Sequence, residues 1–141
     1  MTSGIRLTPL DLWTVAQTCW GEARGEPLEG IDAVAWVIRN RCEVHPRWRG
    51  QSPRQVCTAP MQFRAWDPGN INLSLMRTVS LDDAAFVTCL LATVEVFGGR
   101  SQSPVSLATH YYVVGTPRPV WAEGHTPVCS IGHHLFFAGI A

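Results

Sequence analysis

The chain has 141 residues, a length that fits one compact domain built around a single hydrophobic core. Charged residues make up 16% of the chain, below the usual value of about 25%, and the apolar share of 46% is ordinary, which argues against intrinsic disorder. The formal net charge is zero, which argues against a nucleic-acid partner, because domains that bind nucleic acids carry a basic excess or a basic stripe.

The first predicted helix begins at Thr8, a residue type that caps helix N-termini, and has Pro9 at its first position. Apolar residues then recur at helical spacing up to the Gly25 and Pro27 that end the helix. A second helix starts at once near Pro27, and its apolar stripe keeps a period of about 3.6 residues as far as Cys42. The basic residues near its end complement the negative pole of the helix dipole; they are Arg39, Arg41 and His45.

The middle of the chain, residues 45–79, is predicted to be mostly loop with short helical pieces. Ser52 and Pro53 are typical of a capped helix start, but only one or two turns fit before Pro60. The tetrapeptide Asp67-Pro68-Gly69-Asn70 is a strong turn signal.

A third long helix is predicted from the capping segment 80–83 to the glycine pair at 98 and 99. Its apolar residues cover two adjacent sides, so we expect this helix to be central and buried. Residues 105–114 then alternate in the manner of a β-strand, and residues 131–137 form a second strand candidate beyond the loop 115–127. Helices followed by a small C-terminal β-hairpin indicate the α+β class.

Two residue types are unusual in number. Six tryptophans in so small a core cannot easily all satisfy their N–H groups, so we expect some of them at the surface, where a flat ligand can use them. Five cysteines without a Cys-x-x-Cys pair disfavour both a zinc ribbon and a complete disulfide framework, and we expect reduced, mostly buried thiols. The N-terminus lacks a signal-peptide pattern, and no apolar run approaches the roughly 18 residues of a membrane span, so we expect no stable membrane insertion.

The densest polar cluster is the segment 21–29, where the first helix ends and the second begins. Glu22 falls in the last turn of the first helix, where exposed carbonyl groups oppose ionisation and raise a carboxyl pKa, as a general acid requires. Glu26 can approach Glu22, although Gly25 and Pro27 interrupt the helix. The charge pattern alone favours a plainer interpretation, in which these carboxylates cap a helix or pair with Arg24 on a solvated face.

Three blocks of sequence share a pattern with one known family. They are residues 19–30 with 33–41, including Glu22-Ala23-Arg24-Gly25-Glu26; the pentapeptide Gln62-Phe63-Arg64-Ala65-Trp66; and the segments Ala108-Thr109-His110-Tyr111-Tyr112, Pro119-Val120-Trp121 and Ile131-Gly132-His133-His134-Leu135-Phe136-Phe137. Over about residues 12–137 the chain resembles the catalytic domain of the SleB-type cell wall hydrolases, the spore-cortex-lytic family.

The resemblance implies a lysozyme-like α+β fold in which residues 1–141 form a single peptidoglycan-cleaving catalytic domain. It implies cleavage of the β-1,4 bond between N-acetylmuramic acid and N-acetylglucosamine by a lytic transglycosylase that leaves 1,6-anhydro-muramic ends. Glu22 matches the family's catalytic acid. One carboxylate suffices where the substrate's own N-acetyl group stabilises the cationic centre, so we expect neither a metal nor a cofactor. A hydrolytic muramidase on the same site stays open.

The residues expected to bind substrate are Glu26, Gln62, Phe63, Trp66, His110, Tyr111, Tyr112 and Trp121. An amide such as that of Gln62 can bond an acetamido group, and aromatic faces stack on pyranose rings, although Phe63 is equally suited to a place in the core. Period-two alternation puts His110 and Tyr112 on one strand face and Tyr111 on the other. Family members often read His-Tyr-His here, so a role that needs a second imidazole is in doubt.

Rival interpretations are a cysteine peptidase or amidase and a non-catalytic peptidoglycan-binding virion module. Only Cys57 and Cys129 lie outside helical apolar stripes, which disfavours a thiol nucleophile. His133 and His134 would face opposite ways on one strand, which disfavours a zinc amidase. We expect a monomer that binds peptidoglycan glycan strands. A phage or prophage lysis enzyme fits best, made in the cytoplasm without a signal peptide and released to the cell wall through a holin pore.

Overall fold

The computed structural model describes residues 6–141. Its elements are the helices α1 (Pro9–Ala23), α2 (Leu28–Val44), α3 (Pro53–Thr58), α4 (Leu73–Thr78) and α5 (Ala84–Phe97), the strands β1 (His110–Val113), β2 (Cys129–Ile131) and β3 (His134–Phe137), and two single-turn 3-10 helices, Arg64–Trp66 and Val120–Ala122. The predicted α+β class is confirmed, with helices first and a small sheet last.

Helix starts follow the capping residues that the sequence offers. At α1, Thr8 Oγ1 accepts the Asp11 N–H at 3.1 Å while the Asp11 carboxylate accepts the Thr8 N–H at 2.9 Å. The same reciprocal pair forms between Ser52 and Gln55 at α3, so these predicted starts are confirmed. The third long helix begins at the end of the predicted capping segment 80–83, where the cap is Asp83, whose carboxylate accepts the Phe86 N–H at 2.9 Å.

The core lies where α1 packs against α2, α3 and α5. Residues such as Val15, Val34 and Phe86 are fully buried there. The expectation that α5 is central and buried is correct for one side of the helix only. Its face toward α1 and α2 is enclosed, but Leu91 and Val94 on the other side are 62% and 47% exposed, so α5 covers the core from outside.

The basic residues at the end of α2 point inward rather than toward solvent. Arg39 and Arg41 are 6% and 4% exposed, so they do more than complement the helix dipole. Arg41 Nε donates to the Thr109 carbonyl at 2.7 Å, and Asn40 Nδ2 donates to the Ser106 and Ala108 carbonyls at 3.0 and 2.9 Å. These bonds satisfy the backbone just before β1 and so fix where that strand begins.

The sheet has three antiparallel strands in the order β1-β3-β2, which corrects the predicted two-stranded hairpin. The first strand starts at His110 and not near residue 105, because residues 104–107 form a turn. The predicted strand over 131–137 contains the end of β2, a two-residue turn at Gly132 and His133, and β3. Gly132 adopts a φ of +56°, a conformation that favours glycine.

The cysteines and tryptophans are buried or partly buried. All five cysteines are free, and four are buried, as predicted. Trp20 and Trp48 are 6% and 2% exposed, and the other four tryptophans are partly buried, so the expected surface tryptophans are only partly exposed. The indole N–H groups of Trp20, Trp36 and Trp66 donate to the side chains of Asp83, Ser101 and Thr18, respectively. Within residues 6–141, no helix is both long enough and apolar enough to cross a membrane.

Candidate active site

Glu22 lies in the last turn of α1, with its side chain partly buried. The preceding residue, Gly21, lets the 3-10 helix Arg64–Trp66 approach α1, because a Cβ at this glycine would lie 2.7 Å from Ala65 Cβ and 2.8 Å from Met76 Sδ. This close approach brings the Ala65 N–H to Glu22 Oε2, to which it donates at 3.1 Å.

Tyr111 on β1 donates its hydroxyl hydrogen to the other carboxylate oxygen of Glu22. The tyrosine ring is held by three neighbours, with centroid distances of 4.8 Å to His134, 5.6 Å to Phe136 and 6.4 Å to Phe63. Burial raises the pKa of Tyr111 well above its ordinary value, so the hydroxyl stays protonated and keeps its role as a donor.

The pKa of Glu22 is raised, and burial is the largest cause. The hydrogen bonds from Tyr111 and Ala65 and the charge of Arg64 oppose this rise, while the charge of Asp67 adds to it. The expected direction of the shift is confirmed. Arg24 does not pair with Glu22, because its guanidinium stacks 3.9 Å from the Trp20 ring and donates to the Trp20 carbonyl at 3.0 Å.

Glu26 turns away from Glu22 and binds the β2–β3 turn. Its carboxylate accepts the His133 N–H at 2.7 Å and the His133 Nδ1 hydrogen at 2.8 Å, and His134 Nδ1 lies 3.4 Å from its Oε1. The expectation that only one of the two histidines reaches a given site is wrong, because His133 lies in the turn, where strand alternation does not apply. Burial alone raises the pKa of Glu26, but the bonds from His133 and the charges of both histidines outweigh it and lower that pKa.

The pentapeptide 62–66 contributes less open surface than the sequence suggested. Phe63 is 2% exposed and lies in the core against Arg41 and Tyr111, which corrects its expected place on the wall of a substrate groove. Trp66 is partly buried and donates its indole hydrogen to Thr18 Oγ1 at 2.8 Å. Gln62 is also partly buried.

A second aromatic cluster lies on the opposite face of the sheet from Tyr111. Trp121 packs against His110, with 4.9 Å between the ring centroids, and against Phe137 at 5.2 Å, while Tyr112 stacks on Phe137 at 5.7 Å. Burial lowers the pKa of His110 to about 3, so this imidazole is neutral. The residues expected to line one groove therefore fall into two groups, one beside Glu22 and one behind β1.

Arg41 also contacts residues of the pentapeptide 62–66, a position that the sequence analysis did not predict. Its guanidinium lies 4.3 Å from the Trp48 ring and 4.7 Å from the Phe63 ring, and Nη1 donates to Gln62 Oε1 at 3.4 Å. Burial lowers the pKa of Arg41 to about 10. The signal was present in the sequence, because Arg41 follows Ile38 by three positions on the apolar stripe of α2.

The environments of the cysteines and of the potential metal ligands bear on two other chemistries, a thiol nucleophile and a metal centre. Burial raises the pKa of all five thiols, reaching about 12 at Cys42, Cys57 and Cys89, so none is activated as a thiolate. The part of the chain that the structure describes contains no group of three or more His, Cys, Asp or Glu side chains that could hold a metal ion.

Comparison with known proteins assigns the chain to a family. The sequence model of the family described as Cell Wall Hydrolase matches residues 25–137. The chain belongs to the cell wall hydrolase family. Two curated relatives are spore cortex-lytic enzymes: that of Bacillus subtilis (strain 168) is 30% identical over 126 residues, and that of Halalkalibacterium halodurans is 31% identical over 126 residues. The alignments cover 89% of this chain but only 37% and 34% of these relatives, so the chain spans little more than a third of their length.

Two solved structures have the same fold as this chain. The catalytic domain of the Bacillus cereus SleB protein has a TM-score of 0.75 and 24% identity, over 98% of this chain and 97% of that one. The catalytic domain of the germination-specific lytic transglycosylase SleB from Bacillus anthracis has a TM-score of 0.73 and 25% identity, over 94% of this chain and 97% of that one. The lysozyme-like α+β fold implied by the sequence resemblance is thereby confirmed.

Proposed function

We propose that this chain cleaves the β-1,4 bond between N-acetylmuramic acid and N-acetylglucosamine in peptidoglycan, as a lytic transglycosylase. The observation that carries the proposal is the environment of Glu22: a partly buried carboxyl group with a raised pKa, held by one hydroxyl and one backbone N–H. Membership of the cell wall hydrolase family and the similarity to the Bacillus anthracis lytic transglycosylase support the same reaction.

In the first step, protonated Glu22 gives its proton to the glycosidic oxygen, and the bond from that oxygen to the muramic C1 breaks. The N-acetyl oxygen of the same sugar shares the positive charge that develops at C1. In the second step, the Glu22 carboxylate takes the proton of the muramic C6 hydroxyl, and the C6 oxygen bonds to C1. The product is a 1,6-anhydro end, no water is consumed, and Glu22 is protonated again for the next cycle.

Tyr111 and the Ala65 N–H have a defined role in this proposal. Both donate to the carboxylate, so they hold its two oxygens in a fixed plane and stabilise the ionised form that exists between the two steps. Burial favours the protonated form before the first step. The opposed effects give a carboxyl group that can release and recover a proton without a second carboxylate.

The proposed substrate contacts fall on both sides of β1. Gln62, just before the 3-10 helix that supplies the Ala65 N–H, and Trp66, the last residue of that helix, are proposed to contact the sugars beside the cleaved bond. Partly exposed rings behind β1 are proposed to contact sugars farther along the strand; they are His110, Tyr112 and Trp121. Since β1 has a neighbour on one side only, a glycan strand can pass over its free edge between the two groups.

The test is digestion of purified peptidoglycan by the wild-type chain and by Glu22→Gln, with mass spectrometry of the soluble muropeptides. We expect anhydro-muramic products from the wild type and none from the variant. Glu29→Gln is the matched control, because Glu29 is an exposed carboxylate in the first turn of α2, and it should retain wild-type products.

Each other outcome points to a named alternative. Reducing ends in place of anhydro ends would mean a hydrolytic muramidase on the same site. Free stem peptides would mean an amidase or peptidase. Binding of peptidoglycan without soluble products would mean a non-catalytic binding module, and equal products from wild type and Glu22→Gln would remove Glu22 from the catalytic role.

A further inference from the structure

Glu26 makes its hydrogen bonds within the protein, to the β2–β3 turn. The side chain is only 10% exposed, and both carboxylate oxygens accept hydrogen bonds from His133 at 2.7 and 2.8 Å. The His133 ring is 79% exposed, so the carboxylate is enclosed while its partner faces solvent. Both oxygens of Glu26 are therefore engaged within the protein, which favours a structural role over direct contact with a sugar.

Two glycines leave room for this carboxylate. A Cβ at Gly132 would lie 2.5 Å from Glu26 Oε1, and a Cβ at Gly30 would lie 2.9 Å from Glu26 Cβ. The positive φ of Gly132 shapes the two-residue β2–β3 turn so that the following backbone N–H points at Glu26. The turn and the start of α2 are thus built around one carboxylate.

His134 connects this carboxylate to the candidate active site. Its ring is 3% exposed, and Nδ1 has no hydrogen-bond partner among the described residues; the nearest carboxylate oxygen is Glu26 Oε1 at 3.4 Å. The other side of the ring packs edge-on against Tyr111 at 4.8 Å, with an interplanar angle of 66°. Tyr111 in turn donates to Glu22.

We propose that Glu26 is a positioning residue for the reaction, which fixes the β2–β3 turn and the His134 ring so that Tyr111 stays aligned with Glu22. This proposal rests on the proposed function of Glu22. It replaces the expected role of Glu26 in substrate binding with an indirect one: the two carboxylates of the Glu22-Ala23-Arg24-Gly25-Glu26 segment are linked through His134 and Tyr111 across the sheet.

The first readout does not depend on activity. In the full chain labelled with ¹³C at the glutamate side-chain carboxyl, the Glu22 signal is assigned by its loss in Glu22→Gln and is then titrated with pH. In Glu26→Ala, the Tyr111 hydroxyl loses its alignment, so the Glu22 midpoint should rise by at least about 0.5 pH unit, because a donor to the ionised form is weakened. Arg41, Arg64 and Asp67, charged groups that act on Glu22, are unchanged in every variant.

Three further variants make the test specific. Glu26→Gln keeps an acceptor for the His133 N–H and should recover about half of the shift. Glu29→Ala removes an exposed carboxylate nearby and should leave the midpoint unchanged. In a Tyr111→Phe background, Glu26→Ala should add no further shift, since its effect passes through the tyrosine hydroxyl.

Kinetics separate positioning from substrate binding. Glu26→Ala should lower kcat by about 10- to 100-fold, the cost of misplacing a reacting group, while KM changes by less than about twofold. An unchanged Glu22 midpoint would overturn the proposal, and so would a rise in KM at constant kcat. Should the wild-type chain release no muropeptides, the proposed function fails, and the titration still decides whether Glu26 controls the Tyr111–Glu22 pair. Where Glu26→Ala does not fold, Glu26→Gln carries the same comparison.

Discussion

The Tyr111 hydroxyl donates to Glu22 Oε1 across a sequence separation of 89 residues. One partner is the last turn of α1 and the other is the first strand of the sheet, so the bond forms only when the helical part and the sheet have packed together. The bond also stabilises the ionised carboxylate against the burial that disfavours it. Folding of the C-terminal sheet therefore contributes to the acidity of a residue near the N-terminus.

Replacement of Tyr111 by phenylalanine should raise the pKa of Glu22 further, because the carboxylate loses a donor while the burial stays. The alkaline limb of the kcat/KM profile for muropeptide release should then move to higher pH, since the general acid stays protonated longer. We expect kcat to fall by about tenfold, because the intermediate carboxylate loses a fixed donor. Initial rates measured over a pH series check this, and an alkaline limb that moves to lower pH would contradict it.

Replacement of Glu22 by glutamine should stabilise the fold at neutral pH. The folded-state pKa of Glu22 is raised above the ordinary value of 4.5, so the wild type loses stability as pH rises from that value through the folded-state pKa. An amide has no such dependence. We expect the melting temperature of the variant to exceed that of the wild type by about 3 °C at neutral pH, the shift that about 1 kcal/mol gives in a chain of this size.

The control for this stability effect is the same measurement in acid. Below pH 4 or so, where the wild-type carboxyl is protonated in both states, the difference between Glu22→Gln and wild type should vanish. A gain in melting temperature that persists unchanged into acid would show that packing, and not the buried charge, separates the two proteins.

The helices could be predicted because their signals are local. Thr8 with Asp11, Ser52 with Gln55, and the glycines after α5 each act within a few residues, and the structure has caps or ends at all three places. The third helix start was predicted only as the segment 80–83, because both Ser80 and Asp83 are capping residues. Only the structure shows that Asp83 is also tied to Trp20, by an indole N–H bond of 3.2 Å.

The start of the sheet and the positions of His133 and His134 could not be predicted from neighbouring residues in the sequence. Residues 105–108 alternate like a strand, yet the carbonyls of Ser106 and Ala108 bond to Asn40, far away in sequence. Strand alternation predicted that His133 and His134 lie on opposite faces. His133 lies in the turn with Gly132, where strand alternation does not apply. Glu22 could be named as a candidate acid because the position of a carboxyl group in a helix affects its pKa, although the charge pattern alone favoured a plainer role.

Replacement of Gly21 by alanine should separate Ala65 from Glu22. The added Cβ would lie 2.7 Å from Ala65 Cβ, so the helix Arg64–Trp66 must move and its N–H leaves the carboxylate. We expect a loss of about 1 to 3 kcal/mol in the free energy of unfolding from overpacking, and a fall in kcat of about tenfold or more.

Gly25→Ala is the matched control, because a Cβ at Gly25 would have nothing within 4 Å and the residue has no positive φ. Its free energy of unfolding, measured by urea denaturation, should stay within about 0.5 kcal/mol of wild type or rise slightly. Equal losses in the two variants would mean that the contact between α1 and the helix Arg64–Trp66 is not what Gly21 protects.

Replacement of Gly132 by alanine should be the most damaging single change in the sheet. The residue has a φ of +56°, which strains an alanine by about 1 kcal/mol, and the new Cβ would lie 2.5 Å from Glu26 Oε1 and 3.2 Å from Pro27 Cδ. Gly124→Ala isolates the strain, because Gly124 has a φ of +76° with nothing within 4 Å. We expect urea denaturation to give a loss of about 1 kcal/mol for Gly124→Ala and about 2 to 4 kcal/mol for Gly132→Ala, the excess being the broken contact with the Glu26 carboxylate. If the two alanines cost the same, backbone strain alone explains the glycine, and the turn does not depend on its contact with Glu26.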